Sequence, residues 1–134
     1  MKKMAVLLIP ALILAGTGLA LARAKTQPAN EIPASVLEVF KRCCASCHAG
    51  ESAPKGLRLV PGNFGAVIDA PSVEMPKLKL IDTANPESSY LLKKILGAGD
   101  INGSRMPRGI FGGKHLAKAD LKVLQTWILG LKSR

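Results

Sequence analysis

Three cysteines and a histidine fall within six consecutive residues, Cys43-Cys44-Ala45-Ser46-Cys47-His48, and the 134-residue chain has no other cysteine. This cluster constrains the fold more than any other feature. A disulfide framework closes long loops between paired cysteines, and an odd set this tight closes none. A zinc site from Cys43, Cys44, Cys47 and His48 would crowd four ligands onto one turn, against the spread spacing that zinc favours. A Cys44–Cys47 redox pair of the thioredoxin kind needs a strand before it and a helix after it. Here a helical pattern precedes the cluster, and a stretch rich in proline and glycine follows.

The remaining chemistry is covalent attachment of a porphyrin. Cys44-Ala45-Ser46-Cys47-His48 has the C-x-x-C-H spacing of a c-type haem site. Two thiols add across the two vinyl groups of one macrocycle, whose separation matches three residues of helical or turn-like rise. His48 is then carried beneath the iron, where an imidazole nitrogen becomes the proximal ligand. Cys43 takes no part in this pattern and is expected to be a small, buried or semi-buried thiol. A macrocycle would also thicken a thin core, since only five aromatic residues are present: Phe40, Phe64, Tyr90, Phe111 and Trp127.

The N-terminus bears on where that chemistry happens. Met4 to Ala22 carries no charge and follows Lys2 and Lys3, and Ala22-Arg23-Ala24 supplies small residues at the −3 and −1 positions of a cleavage site before Lys25. Residues 1–24 therefore read as an export signal, 25–34 as a short linker and 35–134 as one domain, with the protein in the periplasm. The rival is an uncleaved membrane anchor, since 19 apolar residues nearly reach the ~20 of a spanning helix. Pro10, Gly16, Thr17 and Gly18 interrupt that run. Cleavage removes three cations and no acid, taking the net charge from +10 to +7. A two-domain enzyme, a multi-span membrane protein and a disordered tail are not expected at this length.

Along the domain, Ser35 and Glu38 have the spacing of a capping box, opening a helix that the apolar pattern carries through Cys47 to Ala49-Gly50. Glu51 to Ala84 reads as loop, in which Leu57–Val60 and Leu78–Ile81 are brief strands or loop facing a haem. A second helix starts at Asn85-Pro86 and ends at Gly97, a left-handed cap. A glycine-rich loop with Met106-Pro107 leads to a last helix over Lys118–Leu131. The expected class is all-α, with about three helices and long loops.

In that order of parts the chain resembles the monohaem class I cytochrome c domain, from about Val36 to Leu131. The resemblance rests on Cys44-Ala45-Ser46-Cys47-His48, Arg105-Met106-Pro107, and Leu124 to Ile128 in the last helix. Gly56-Leu57-Arg58-Leu59 and Asn85-Pro86-Glu87-Ser88-Ser89 look like a subgroup met alone or at the ends of larger bacterial proteins. It implies a small cytochrome c-like fold around one haem c, with Phe40 packing against Leu124 and Trp127. Two departures stand out. Val36 replaces the small residue that lets the first and last helices approach closely, so their crossing should be wider or shifted. Ala117 replaces the usual Ser or Thr cap of the last helix.

Three residues compete to be the distal iron ligand: Met106, Met75 and His115. The resemblance points to Met106, because it places the ligand in the loop before the last helix. A six-coordinate iron between His48 and a thioether has no open position for substrate and suits single-electron transfer. The chain is therefore expected to be an electron-transfer protein and not an enzyme. Glu51, Asp69, Glu74, Asp82 and Asp100 read as solvated surface charges. Lys93, Lys94, Arg105, Arg108 and Lys114 read as a surface that steers the protein to an acidic patch on a redox partner. No nucleic-acid recognition motif is present. Two other functions fit the same motif: a haem subunit of a larger periplasmic dehydrogenase or sulfur-oxidising complex, and a gas-binding haem sensor.

Overall fold

A computed structural model describes residues 32–108 and 115–131. Within them the chain forms four α-helices, α1 (Ala34–Cys43), α2 (Ala45–His48), α3 (Tyr90–Leu96) and α4 (Lys118–Leu129), with single 3-10 turns at Pro54–Gly56, Phe64–Ala66 and Pro86–Ser88. The class is all-α, as the apolar periodicity requires. Leu57–Val60 and Leu78–Ile81 are not strands; the only pairing among the described residues is two isolated bridges, Ile68 with Ile81 and Pro71 with Lys79. The export-signal segment, residues 1–24, lies outside the described residues.

Two expected helices are interrupted, one at Cys44 and one at Ser89. α1 begins two residues early, with Pro33 in place of Ser35 as its N-cap, because the Pro33 carbonyl accepts the amides of Val36 and Leu37 at 2.9 and 3.1 Å. Ser35 is thereby inside the first turn, and the expected capping box with Glu38 does not form. The helix stops at Cys43, Cys44 takes φ −126°, and the chain restarts as the short α2. Ahead of α3, Ser89 is extended at φ −55°, ψ 124° and separates the Pro86–Ser88 turn from the helix. Its buried hydroxyl accepts the Asp82 amide at 2.9 Å, while Tyr90 and Leu91 donate to the carbonyls of Lys79 and Leu80. Asp82, not Asn85, supplies the side-chain acceptor there, taking the amides of Ala84 and Asn85. Gly97 ends α3 in the expected left-handed conformation, at φ 74°.

The core forms where α1 meets α4. Phe40 lies 5.2 Å from Phe64 and 5.9 Å from Trp127, centroid to centroid, and Phe64 lies 6.2 Å from Trp127. The two Trp127 contacts are edge-to-face, the arrangement that ring quadrupoles favour. Leu124 and Ile128 are fully buried beside them, as are Leu92 and Ile95 of α3 nearly so. Phe40 thus packs against α4 as expected. On the Val36 side the two helices leave a groove of about 460 Å³, lined by Pro33, Val36, Ala119, Val123 and Trp127 among others. α4 starts at Lys118, and Ala117 before it supplies no side-chain cap, also as expected.

The long middle loop is stapled by Asp69, at φ 58°. Its carboxylate accepts the Thr83 hydroxyl at 2.6 Å, the Thr83 amide at 3.1 Å and the Lys79 ammonium at 2.9 Å. Its amide donates to the Ile81 carbonyl at 2.7 Å. The Thr83 hydroxyl, and then Lys79, hold the Asp69 carboxyl down at about 2.

Two outcomes follow for stability. Trp127→Ala removes the ring that two phenylalanines abut and should cost about 3–5 kcal/mol in urea denaturation. Asp69 is ionised in the folded chain below the pH at which it ionises unfolded. Its contribution is present above the ordinary aspartate value near 4 and is lost as pH falls through about 2. Asp69→Asn should flatten the decline in melting temperature across that window, compared with the parent chain.

Candidate functional site

Cys44, Cys47 and His48 come together on α2, a single turn in which Cys47 and His48 donate their amides to the Cys44 carbonyl at 3.2 and 2.9 Å. Cys44 is half-buried and Cys47 exposed, and both are free thiols. Cys43 is half-buried as well, and its Sγ lies 3.9 Å from Asp120 Oδ2, against the start of α4. Arg42 pairs with the same carboxylate at 2.6 Å. The third thiol is therefore committed to the helix crossing, apart from its two neighbours.

His48 is held from both sides of its residue. Its carbonyl accepts the Leu59 amide at 2.8 Å, and its Nδ1 lies 2.9 Å from the Leu57 carbonyl oxygen. A carbonyl only accepts, so Nδ1 carries the proton and donates it, which leaves the Nε2 lone pair free. This is the arrangement that orients a metal-ligating imidazole and raises its basicity. Arg58 Nε donates to the Ala49 carbonyl at 3.3 Å, and Asn63 donates to the Arg58 carbonyl at 2.9 Å, so the clamping segment is itself fixed.

The donor set fits a thioether-linked haem. Such a group brings four ring nitrogens, so the chain need supply only one or two axial ligands. Among the described residues no group of three or more His, Cys, Asp or Glu side chains converges as for a bare metal ion. Burial, reinforced by Cys43 and Cys47, pushes the Cys44 thiol up to about 12. That is the reverse of the lowered value an attacking thiolate needs in a dithiol oxidoreductase.

The three distal candidates are placed very differently. His115 is exposed immediately before α4, and Met75 is half-buried in a turn of the middle loop, its amide on Ser72 Oγ at 3.2 Å. Met106 is half-buried, and its amide donates to the Lys94 carbonyl at 2.9 Å on the last turn of α3. Beside it Arg105 Nε donates to the Ile95 carbonyl at 2.9 Å. Arg105 lies so close over Gly97 that a Cβ there would sit 2.6 Å from its Cδ.

The basic residues require a correction. Lys94 is buried at 6% exposure and paired with Glu74 at 2.9 Å, so it is no part of a docking surface. Lys93 is bridged to Asp100 at 2.5 Å, and Arg105 is turned onto the α3 backbone. Arg108 is exposed, and Lys114 lies outside the described residues. Glu74 and Asp69 are likewise structural partners, not merely solvated charges. The signal for Lys94 is its spacing, three residues after Leu91 and four after Tyr90, on the apolar face of its helix. No local signal marks the Leu57 carbonyl.

Gly97→Ala should cost roughly 1–2 kcal/mol from the left-handed backbone alone. Displacement of Arg105 should add to it, and thermal denaturation beside the neighbouring Gly99→Ala variant, whose Cβ meets nothing, would read the difference.

No family model, curated protein or solved structure matches this chain.

Proposed function

We propose that this chain is an exported c-type cytochrome of the monohaem class I kind, passing single electrons between redox proteins without catalysing a reaction of its own. The observation that carries this reading is His48. It stands directly after the second cysteine of a C-x-x-C-H run, with Nδ1 tied to the Leu57 carbonyl at 2.9 Å and Nε2 free. Few other tasks call for two thiols and an oriented imidazole on one turn.

In this reading Cys44 and Cys47 hold one haem c by thioethers, His48 Nε2 is the proximal ligand and the Met106 sulfur the distal one. The haem supplies one-electron exchange at an iron whose axial positions are both filled. The chain does the rest. The Leu57 carbonyl holds the proton on Nδ1 and keeps the ring from turning. α3, just before it in the chain, anchors the Met106 loop through the Lys94 and Ile95 carbonyls. The apolar side chains of the middle loop exclude water where the helices alone would leave the core thin.

Export is read from residues 1–24. No helix among the described residues is long and apolar enough to cross a membrane. The basic balance favours partners with an acidic docking patch, and Arg108 remains exposed to meet it.

Acid–acetone treatment of the periplasmic protein, followed by an optical spectrum, tests the reading. Haem should stay with the chain and show c-type α-band absorption; haem that extracts overturns the proposal. Met106→Ala should abolish the weak long-wavelength ferric absorption of a methionine-ligated haem and open the iron to carbon monoxide. Met75→Ala and His115→Ala should leave both unchanged, and loss in either of them instead would overturn the ligand assignment.

A further inference from the structure

We infer that Lys94 is the positioning residue for Met106, its carbonyl and its buried ammonium together holding the loop that presents the thioether. The inference rests on the haem reading for the role of the sulfur, but the anchoring itself is independent of it. Lys94 Nζ, on a side chain only 8% exposed, donates to the Asn102 carbonyl at 2.8 Å and pairs with Glu74 Oε2 at 2.9 Å. It also lies 5.7 Å from the centre of the Tyr90 ring. The Tyr90 hydroxyl donates to Glu74 at 2.9 Å and accepts the Asn102 amide at 3.1 Å. One ammonium thus gathers the middle loop through Glu74, α3 through Tyr90 and the methionine loop through Asn102. Four residues on, the Met106 amide returns to the Lys94 carbonyl at 2.9 Å. The segment from Asn102 to Met106 is pinned at both ends by the same residue.

The charge is needed as well as the length. An apolar side chain of equal reach would leave the Asn102 carbonyl only the longer contact from the Tyr90 hydroxyl, at 3.4 Å, and a buried ammonium without Glu74 would lack a counter-charge. Lys94, and secondarily Tyr90, holds the Glu74 carboxyl below its ordinary range, so that carboxylate keeps its charge at neutral pH. Burial of this kind serves a purpose that a solvated lysine could not: it fixes where the loop begins and where its methionine sits.

The test uses the exported protein as purified, in four variants. Lys94→Met removes the ammonium. Lys94→Met with Glu74→Gln removes it without leaving a lone buried carboxylate, which covers the case in which the single variant does not fold. Glu74→Gln alone keeps the Asn102 bond, and Asp69→Asn loosens the middle loop at a carboxylate whose bonds run to Lys79 and Thr83, not to the methionine loop. Amide exchange at Met106 and carbon monoxide binding to the ferrous protein are both read. Loss of one charge-assisted bond should speed Met106 exchange roughly tenfold to a hundredfold in both Lys94 variants. Carbon monoxide binding should accelerate in step, while Glu74→Gln shifts both far less and Asp69→Asn neither. Exchange in the double variant equal to that in Asp69→Asn would overturn the anchoring. Faster exchange with unchanged carbon monoxide binding in a haem-bearing protein would overturn the positioning role. A chain purified without haem fails the haem reading, and the exchange comparison then still decides whether Lys94 holds the loop.

Discussion

Where α1 crosses α4, Phe40, Phe64 and Trp127 press together within 6.2 Å, and the rest of the described chain hangs from that contact. The two helices come from opposite ends of the domain, so their meeting closes everything between them into one body. It also sets the place of α2, which follows α1 after a single break at Cys44. A crossing built on large rings concentrates apolar burial in few residues, as a chain with five aromatics must.

The loops solve a different problem. From Ala49 to Ser89 no α-helix pairs the backbone, so its polar groups must find other partners. Side chains supply them: Asp69 binds Thr83 and Lys79, Asp82 receives two amides, and Ser89 receives another. Among the described residues no buried side-chain nitrogen or oxygen lacks a partner. These bonds range from a local turn at Asp82 to the fourteen residues between Asp69 and Thr83, and the one at Ser89 lies where the expected second helix is interrupted.

The proposed haem site draws on both halves of that design. The thiols and imidazole lie on one turn, where sequence spacing alone brings them together. What orients the imidazole is a carbonyl nine residues away, Leu57, which settles the tautomer. The methionine loop depends on α3, through the Met106 amide on the Lys94 carbonyl and the Arg105 side chain on the Ile95 carbonyl.

Spacing in the sequence determined the helical class, the helix ends at Gly97 and Lys118, the core placement of Phe40, Leu124 and Trp127 and the cysteine–histidine turn, because each depends on residues a few positions apart or on bulk apolar burial. The break at Cys44, the loss of the Ser35–Glu38 cap and the delayed start of α3 were decided by the tertiary structure. At Ser89 the hydroxyl that local chemistry offers to a helix is claimed by Asp82. Lys94 shows the same limit most plainly: its sequence neighbours allow an exposed cation or a buried one, and only the arrival of Glu74 and Asn102 from two separate loops makes burial the lower-energy choice.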